Sequence, residues 1–364
     1  MRLRPLLTLL LLVSLLAACG GGDPEVEATE TPVAEVTSEP EPEPTEEPTK
    51  KPTPEATEEP GPVAPLTGED IEDEALFDLS VVAVKIDNDI DARPQVGLAD
   101  ADVVIVEPIE GLTRLVAILH SDGSGEVGPV RSGRRVDPQL FGAFEPIFAF
   151  SGAAGPNYPA IDGGFSNTVV NDRNQAGWRR EGTRSAPHNL FIPLETIRER
   201  FPDATGPGAT PVFAFDEATP AGGTATDGFT VDYGRFRTQS GWTWSDDGWV
   251  RSQDGTPHLS GEPDRNVEGA PIVAANVVVL TVETTGSQAE PVVVLGEGPA
   301  RIHRDGQVFE GTWSKPTAED QYRFTTADGS DLPLAPGATW LEIHPTSGTY
   351  VPGVPVVETD ATEG

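Results

Sequence analysis

Between residues 81 and 135 short apolar runs alternate with charged clusters, in the order VVAVKIDNDIDARPQVGLADADVVIVEPIEGLTRLVAILHSDGSGEVGPVRSGRR. Residues 81–86, 103–106 and 115–119 are brief, rich in β-branched side chains and bounded by polar or turn residues, a pattern that predicts buried strands. Each run empties into polar groups: Asp87 and Asn88 after the first, Glu107 and Glu110 after the second, His120 after the third. The Gly-rich segment that follows delivers Arg131, Arg134 and Arg135. Residues 137–144 predict a short helix and 146–150 a further strand ending at Ser151-Gly152-Ala153-Ala154-Gly155. Another helix is expected over 193–201, with Pro193 in its first turn. Polar groups gathered at the ends of buried strands are the usual geometry of a site in an α/β domain.

After Val212 the pattern changes. Alternating runs are punctuated by Asp-Gly and other turn pairs, as at Asp247-Gly248, Asp254-Gly255, Asp305-Gly306 and Asp328-Gly329. Strands are expected at 229–233, 242–244, 249–251, 276–283, 291–295, 300–303, 322–325 and 339–344. Five of the six tryptophans lie in this half, where their first expected role is to anchor a β core and their second to stack on sugar rings. The expected architecture is an α/β N-terminal domain over 76–205 followed by a smaller β-rich C-terminal domain over 206–357, with a tail at 358–364.

The front of the chain reads as an address. Arg2 and Arg4 precede an apolar run from Leu6 to Leu16, too short for the roughly 20 residues that span a bilayer, and Leu16-Ala17-Ala18-Cys19 follows. That ending resembles the bacterial lipobox, which implies that residues 1–19 form a lipoprotein signal peptide and that Cys19 becomes the acylated, palmitate-type first residue of the mature protein. Cys19 is the only cysteine, so an internal disulfide is excluded and the exported body must be stable by packing alone. Residues 20–75 repeat Pro, Glu and Thr with few large apolar side chains, which predicts a disordered tether stiffened by proline and by charge repulsion. The tether holds 18 acids against Lys50 and Lys51, a net of −16 within a whole-chain charge of −35. Such acidity, together with export, argues against nucleic acid as a partner. The expected location is the outer face of the bacterial cell membrane, with the lipid on Cys19 as the attachment.

The run from IDNDIDARPQVG to VRSGRR, the later Arg184-Ser185-Ala186-Pro187-His188-Asn189-Leu190, and the closing GTWSKP, YRF and DGSDLPLAPGATWLEI segments resemble the YerB-like bacterial lipoproteins. The resemblance runs in order from about Val81 to Ile343. It implies a membrane-anchored protein of two domains of unknown function, the first α/β and the second smaller and β-rich. One turn departs from the family pattern: Asp87-Asn88 continues as Asp89-Ile90-Asp91 rather than with His or Phe and Pro.

Asp87, Asp89 and Asp91 have the alternating spacing that opens a calcium loop, but Ala92 stands at the sixth position and Leu98 at the twelfth, so an EF-hand fails and only a looser divalent-cation site remains. The five histidines show no paired spacing for zinc. Arginines carry the sharper signal: Arg93, Arg114, Arg131, Arg134, Arg135, Arg173, Arg179, Arg180 and Arg184 concentrate in the first half of an acidic protein. Guanidinium forks suit phosphate or carboxylate, and equally suit internal pairing with Asp87, Glu107, Glu110 and Asp137. The candidate anion-binding residues are Arg114, Arg131, Arg134, Arg135 and Arg184. Asp87, Glu107, Glu110, His120 and His188 are the candidate acid/base or metal-binding groups. The order of elements from Leu112 to about Gly155 is also similar to the LytR-CpsA-Psr glycan transferases, an analogy that keeps a phosphate- or pyrophosphate-handling envelope enzyme in view. No constellation names a reaction, so the leading expectation is a binding or scaffold module for a cell-wall glycan or envelope protein. A purely structural protein, its charges all paired internally, is the third.

Overall fold

In the computed structural model the described residues are 61–121, 125–262, 264, 267, 269–287 and 290–357. The lipobox cysteine Cys19 and the signal and tether up to residue 60 lie outside them. The first half contributes strands β1 (Val82–Asp87), β2 (Val103–Ile109) and β3 (Leu112–Leu119), helix α1 (Asp137–Phe141), strand β4 (Ile147–Phe150), helix α2 (Tyr158–Gly164), strand β5 (Asn167–Val170) and helix α3 (Leu194–Arg198). The second half adds β6 (Gly228–Asp232), β7 (Gln239–Ser245), β8 (Gly248–Gln253), β9 (Asn276–Val282), β10 (Gly296–Arg304), β11 (Gln307–Lys315), β12 (Arg323–Thr325), β13 (Thr339–Pro345) and β14 (Thr349–Pro352), with several two-residue strands between.

Ten of these strands, five from each half, form one mixed sheet in the order β12-β11-β10-β9-β13-β2-β3-β1-β4-β5. β13, close to the end of the chain, runs parallel to β9 on one side and to β2 on the other. β1, β2 and β3 are buried along nearly their whole length, as expected of strands covered on both faces. Side-chain alternation sends Val81, Ala83, Val103, Ile105, Val116 and Ile118 to a cluster shared with Phe141, Phe148 and Ile161. Val82, Val84, Val104, Leu115 and Ala117 go to the opposite cluster, with Trp242, Trp249 and Trp340. There a second sheet, with β8, β7, β6 and β14 as neighbours, covers the first. Trp242, Trp249 and Trp340 are among the largest fully buried side chains, which is the core-anchor role.

Two expectations need correction. The first half is not a clear α/β layer structure: its helices span five, seven and five residues, and the fold is β-rich in both halves. Glycines and prolines bound the candidate helices closely (Gly142 after the first, Gly163 and Gly164 at the end of the second, Pro202 beyond the third), so strands carry the packing. Moreover, residues 61–75, assigned to the tether by composition, belong to the folded body. Leu66 is 1% exposed within the core, and Ala64 accepts from and donates to its own turn, its amide reaching Glu69 O at 2.7 Å. Gly68 adopts φ +70° there because Phe215 fills the space a Cβ would need. The described residues form one compact unit. Among smaller differences, residues 291–295 form only an isolated bridge, Thr284 to Val292, rather than a strand.

Leu66→Ala should therefore cost about 2–5 kcal/mol in a urea titration, the range for a buried leucine. An unchanged midpoint would return this segment to the tether.

Candidate functional site

The face of the large sheet that carries Val81 and Ala83 turns polar at one end. There Lys85 and Asp87 on β1, Glu107 on β2 and Arg114 on β3 meet, because Asp87 and Glu107 both stand opposite Arg114 in the strand register. Lys85 is fully buried and pairs with the Glu107 carboxylate and, at 2.6 Å, with Asp137 at the start of α1. One cation between two carboxylates leaves an excess of buried negative charge. Burial raises the Glu107 pKa to about 7, Lys85 opposes the rise and Asp137 adds to it. The second oxygen of Asp137 accepts the Arg134 amide at 2.7 Å, which fixes the turn into α1.

Asp87, also fully buried, is the hub for two guanidinium groups and an imidazole. Arg114 Nη1 lies at 2.9 Å, Arg131 Nε at 3.3 Å and His188 Nδ1 at 2.7 Å. Burial brings the Arg114 pKa down to about 10 although Asp87 pulls the other way. At the rim Arg134 pairs with Glu110 at 3.1 Å. The second half closes the cluster from the side: Asn88 donates to Thr113 at 2.8 Å and to Gln253 at 3.2 Å, and Arg93 pairs with Asp254 at 2.6 Å. Gln95 donates to the Asp87 carbonyl at 2.9 Å and contacts His258 at 2.8 Å. Through Arg251 and Ser240 this chain of polar groups reaches Glu342, which also accepts from Trp242 at 2.8 Å and from Tyr233. Burial, reinforced by Arg251, holds the His258 pKa well below its ordinary value.

The fold thus unites Asp87, Glu107, Glu110, Arg114, Arg131, Arg134 and His188. The remaining candidates lie apart. Arg135 reaches Glu290 at 3.1 Å. Arg184 donates to the carbonyls of Ala92 at 2.6 Å and Pro94 at 2.8 Å, stitching the loop after β1 in place. His120 follows β3 at the opposite end of the sheet from Asp87, where burial lowers its pKa despite Asp102. Sequence reasoning missed Lys85 as a member of the site, although a lysine among five apolar neighbours in 81–86 was itself the signal. Gln253 and Asp254 gave no local signal, since they join the cluster from about 160 residues away.

Two further features adjoin the body. Asp89, Asp91 and His188 each place a ligand atom within 4.8 Å of the other two, a group able to hold a metal. On another part of the surface three adjoining hollows of about 380, 270 and 350 Å³ share lining residues at Glu145, Thr205, Pro211, Val212 and Gln321, a groove walled by both halves. Its lining carries the acids Glu145, Asp203 and Glu319 together with the Asp331–Arg323 pair at 2.7 Å.

A β-rich body built jointly from two segments around a buried ion network, and a front segment ending in a lipobox-like cysteine, define the class of two-part lipoproteins of unknown function. The chain belongs to the DUF3048 family: residues 66–207 match the model described as "Protein of unknown function (DUF3048) N-terminal domain" and residues 229–341 the one described as "Protein of unknown function (DUF3048) C-terminal domain". It is 28% identical over 302 residues to "Putative lipoprotein YerB" of Bacillus subtilis (strain 168), covering 78% of this chain and 86% of that protein. The crystal structure of YerB protein from Bacillus subtilis superposes with a TM-score of 0.68 at 24% identity, covering 79% of this chain and 99% of that one, and so shares the fold. The resemblance read from the sequence is therefore correct at the level of family.

A raised carboxyl pKa has a defined pH signature. Glu107 holds its proton more tightly in the folded state than in the unfolded, so its contribution to stability is complete below about pH 4.5 and is lost as the pH rises through about 7. Glu107→Gln retains a neutral group of similar shape and removes the titration. Urea midpoints followed from pH 4.5 to about 7 should fall less, or rise more, in the variant than in the wild type. Parallel curves would show that Glu107 is ionised throughout.

Proposed function

We propose that this protein is an exported lipoprotein, held on the outer face of the cell membrane by lipid on Cys19, whose folded body binds an elongated cell-wall glycan. The groove shared by both halves is the observation that carries the reading. Three adjoining hollows can seat successive units of a polymer, and polar residues such as Thr205, Asn167 and Gln321 line them together with Pro211, Val212 and Phe165. Sugar rings present the same mixture of hydroxyl edges and apolar faces. An acidic lining favours a neutral or cationic ligand and disfavours a polyprenyl phosphate. An envelope protein with an extended segment is the second ligand this groove suits, by the same argument.

The phosphate-handling alternative draws less support. Arg114 and Arg131 are committed to Asp87, Arg134 to Glu110 and Arg135 to Glu290, so a phosphate would have to displace carboxylates already in place. Breaking a buried ion pair by taking one partner costs about 3–5 kcal/mol.

Two outcomes follow. Cys19→Ala should move the protein from the membrane fraction to the soluble envelope or medium, since a single lipid is the only anchor proposed; membrane retention of the variant would remove the anchor from this reading. For the groove, the body comprising residues 59–364 should be retained on purified cell-wall glycan. Thr210→Trp, at an exposed wall position, should weaken that retention at least tenfold with an unchanged thermal midpoint. Equal retention of both forms would place the ligand elsewhere.

A further inference from the structure

The loop after β1 turns back on itself at Asp89, whose carboxylate accepts the Asp91 amide at 3.0 Å. Neither Asp89 nor Asp91 forms an ion pair with a lysine or arginine among the described residues, and Asp91 is exposed. About 100 residues further on, the turn at Ser185–His188 carries His188 to the same place. An exposed acidic pair alone would simply be hydrated. This one faces an imidazole whose orientation is imposed from beneath: His188 Nδ1 is held at 2.7 Å by Asp87, a fully buried carboxylate itself fixed by Arg114 and Arg131. A carboxylate can only accept, so Nδ1 bears a proton and Nε2 is the ring nitrogen left to bind a metal. One ligand atom from each of the three residues lies within 4.8 Å of the other two, and the two carboxylates among them repel each other unless something positive lies between.

We propose that Asp89, Asp91 and His188 form a surface site for a divalent cation, with His188 Nε2 and one oxygen of each aspartate as ligands and water completing the shell. Asp87 serves as the outer carboxylate that fixes the histidine, the arrangement by which metal-ligating imidazoles are generally oriented and made more basic. The donor set of one nitrogen and two oxygens selects the ion class. Calcium takes six to eight oxygens and magnesium retains most of its water, whereas an imidazole beside carboxylates suits Zn²⁺ or Mn²⁺. A bound ion would clamp the loop after β1 to the His188 turn, beside the Arg93–Asp254 pair through which the second half reaches that loop. The proposal is independent of the glycan-binding reading.

The test is calorimetric titration of chelator-treated protein, residues 59–364, with Zn²⁺, Mn²⁺ and Ca²⁺ in turn. Wild type should bind one equivalent of Zn²⁺ or Mn²⁺ more tightly than Ca²⁺, and its thermal midpoint should rise with the ion. Asp91→Asn, at an exposed side chain with no contact of its own, should weaken binding at least tenfold while leaving the metal-free midpoint unchanged. His188→Gln should do the same to affinity, and the exposed Asp246→Asn, in a distant turn, should do neither. Absence of binding by the wild type, or unchanged affinity in Asp91→Asn, would overturn the site.

Discussion

A lysine in the middle of a buried sheet sets the terms for the rest of this structure. Lys85 cannot reach water, so it must be neutralised where it stands, and only Glu107 on β2 and Asp137 on α1 do so. Removing either partner would leave a charge in a low-dielectric interior, a penalty of several kcal/mol. Sliding β1 by one residue would send Lys85 into the apolar layer occupied by Val84, Val104 and Trp340. The register of three strands and the position of the first helix are thereby specified together. Hydrophobic alternation alone would leave β1 free to choose between two similarly apolar faces.

The same economy couples the halves of the chain. Asp87 binds two guanidinium groups and an imidazole from the first half through its side chain, and its backbone carbonyl is held by Gln95, which in turn contacts His258 and so the Arg251–Glu342 network beneath the second sheet. Polar groups on opposite faces of one sheet are therefore members of a single connected set. A substitution at Glu342 would be felt across the sheet through hydrogen bonds rather than through apolar packing, a route along which buried polar networks are unforgiving.

What could be read from the sequence follows from how local each signal is. The strands at 82–87, 103–109 and 112–119 were legible because β-branched runs bounded by turn residues encode themselves within a few positions. The grouping of Asp87, Glu107, Arg114 and Arg131 was legible for the same reason, since each sits at or near a strand end. His120 was misplaced with them because a strand has two ends and composition does not say which end meets which. Lys85 was passed over because it hides inside an apolar run, and Asp254 because its partnership with Arg93 exists only in three dimensions. Residues 61–75 were read as tether since their composition is that of the preceding repeat; one leucine, Leu66, and a glycine turn beside Phe215 are enough to fold them.

The place of β13 in the sheet bears on how the protein comes into being. This strand, fewer than thirty residues from the end of the chain, separates β9 from β2 and hydrogen-bonds to both. Until it has been synthesised and released, β2 has an open edge and the two halves have no common sheet to join. Closure over so long a sequence distance is intrinsically slow: the sheet that joins the halves is completed by the segments made last.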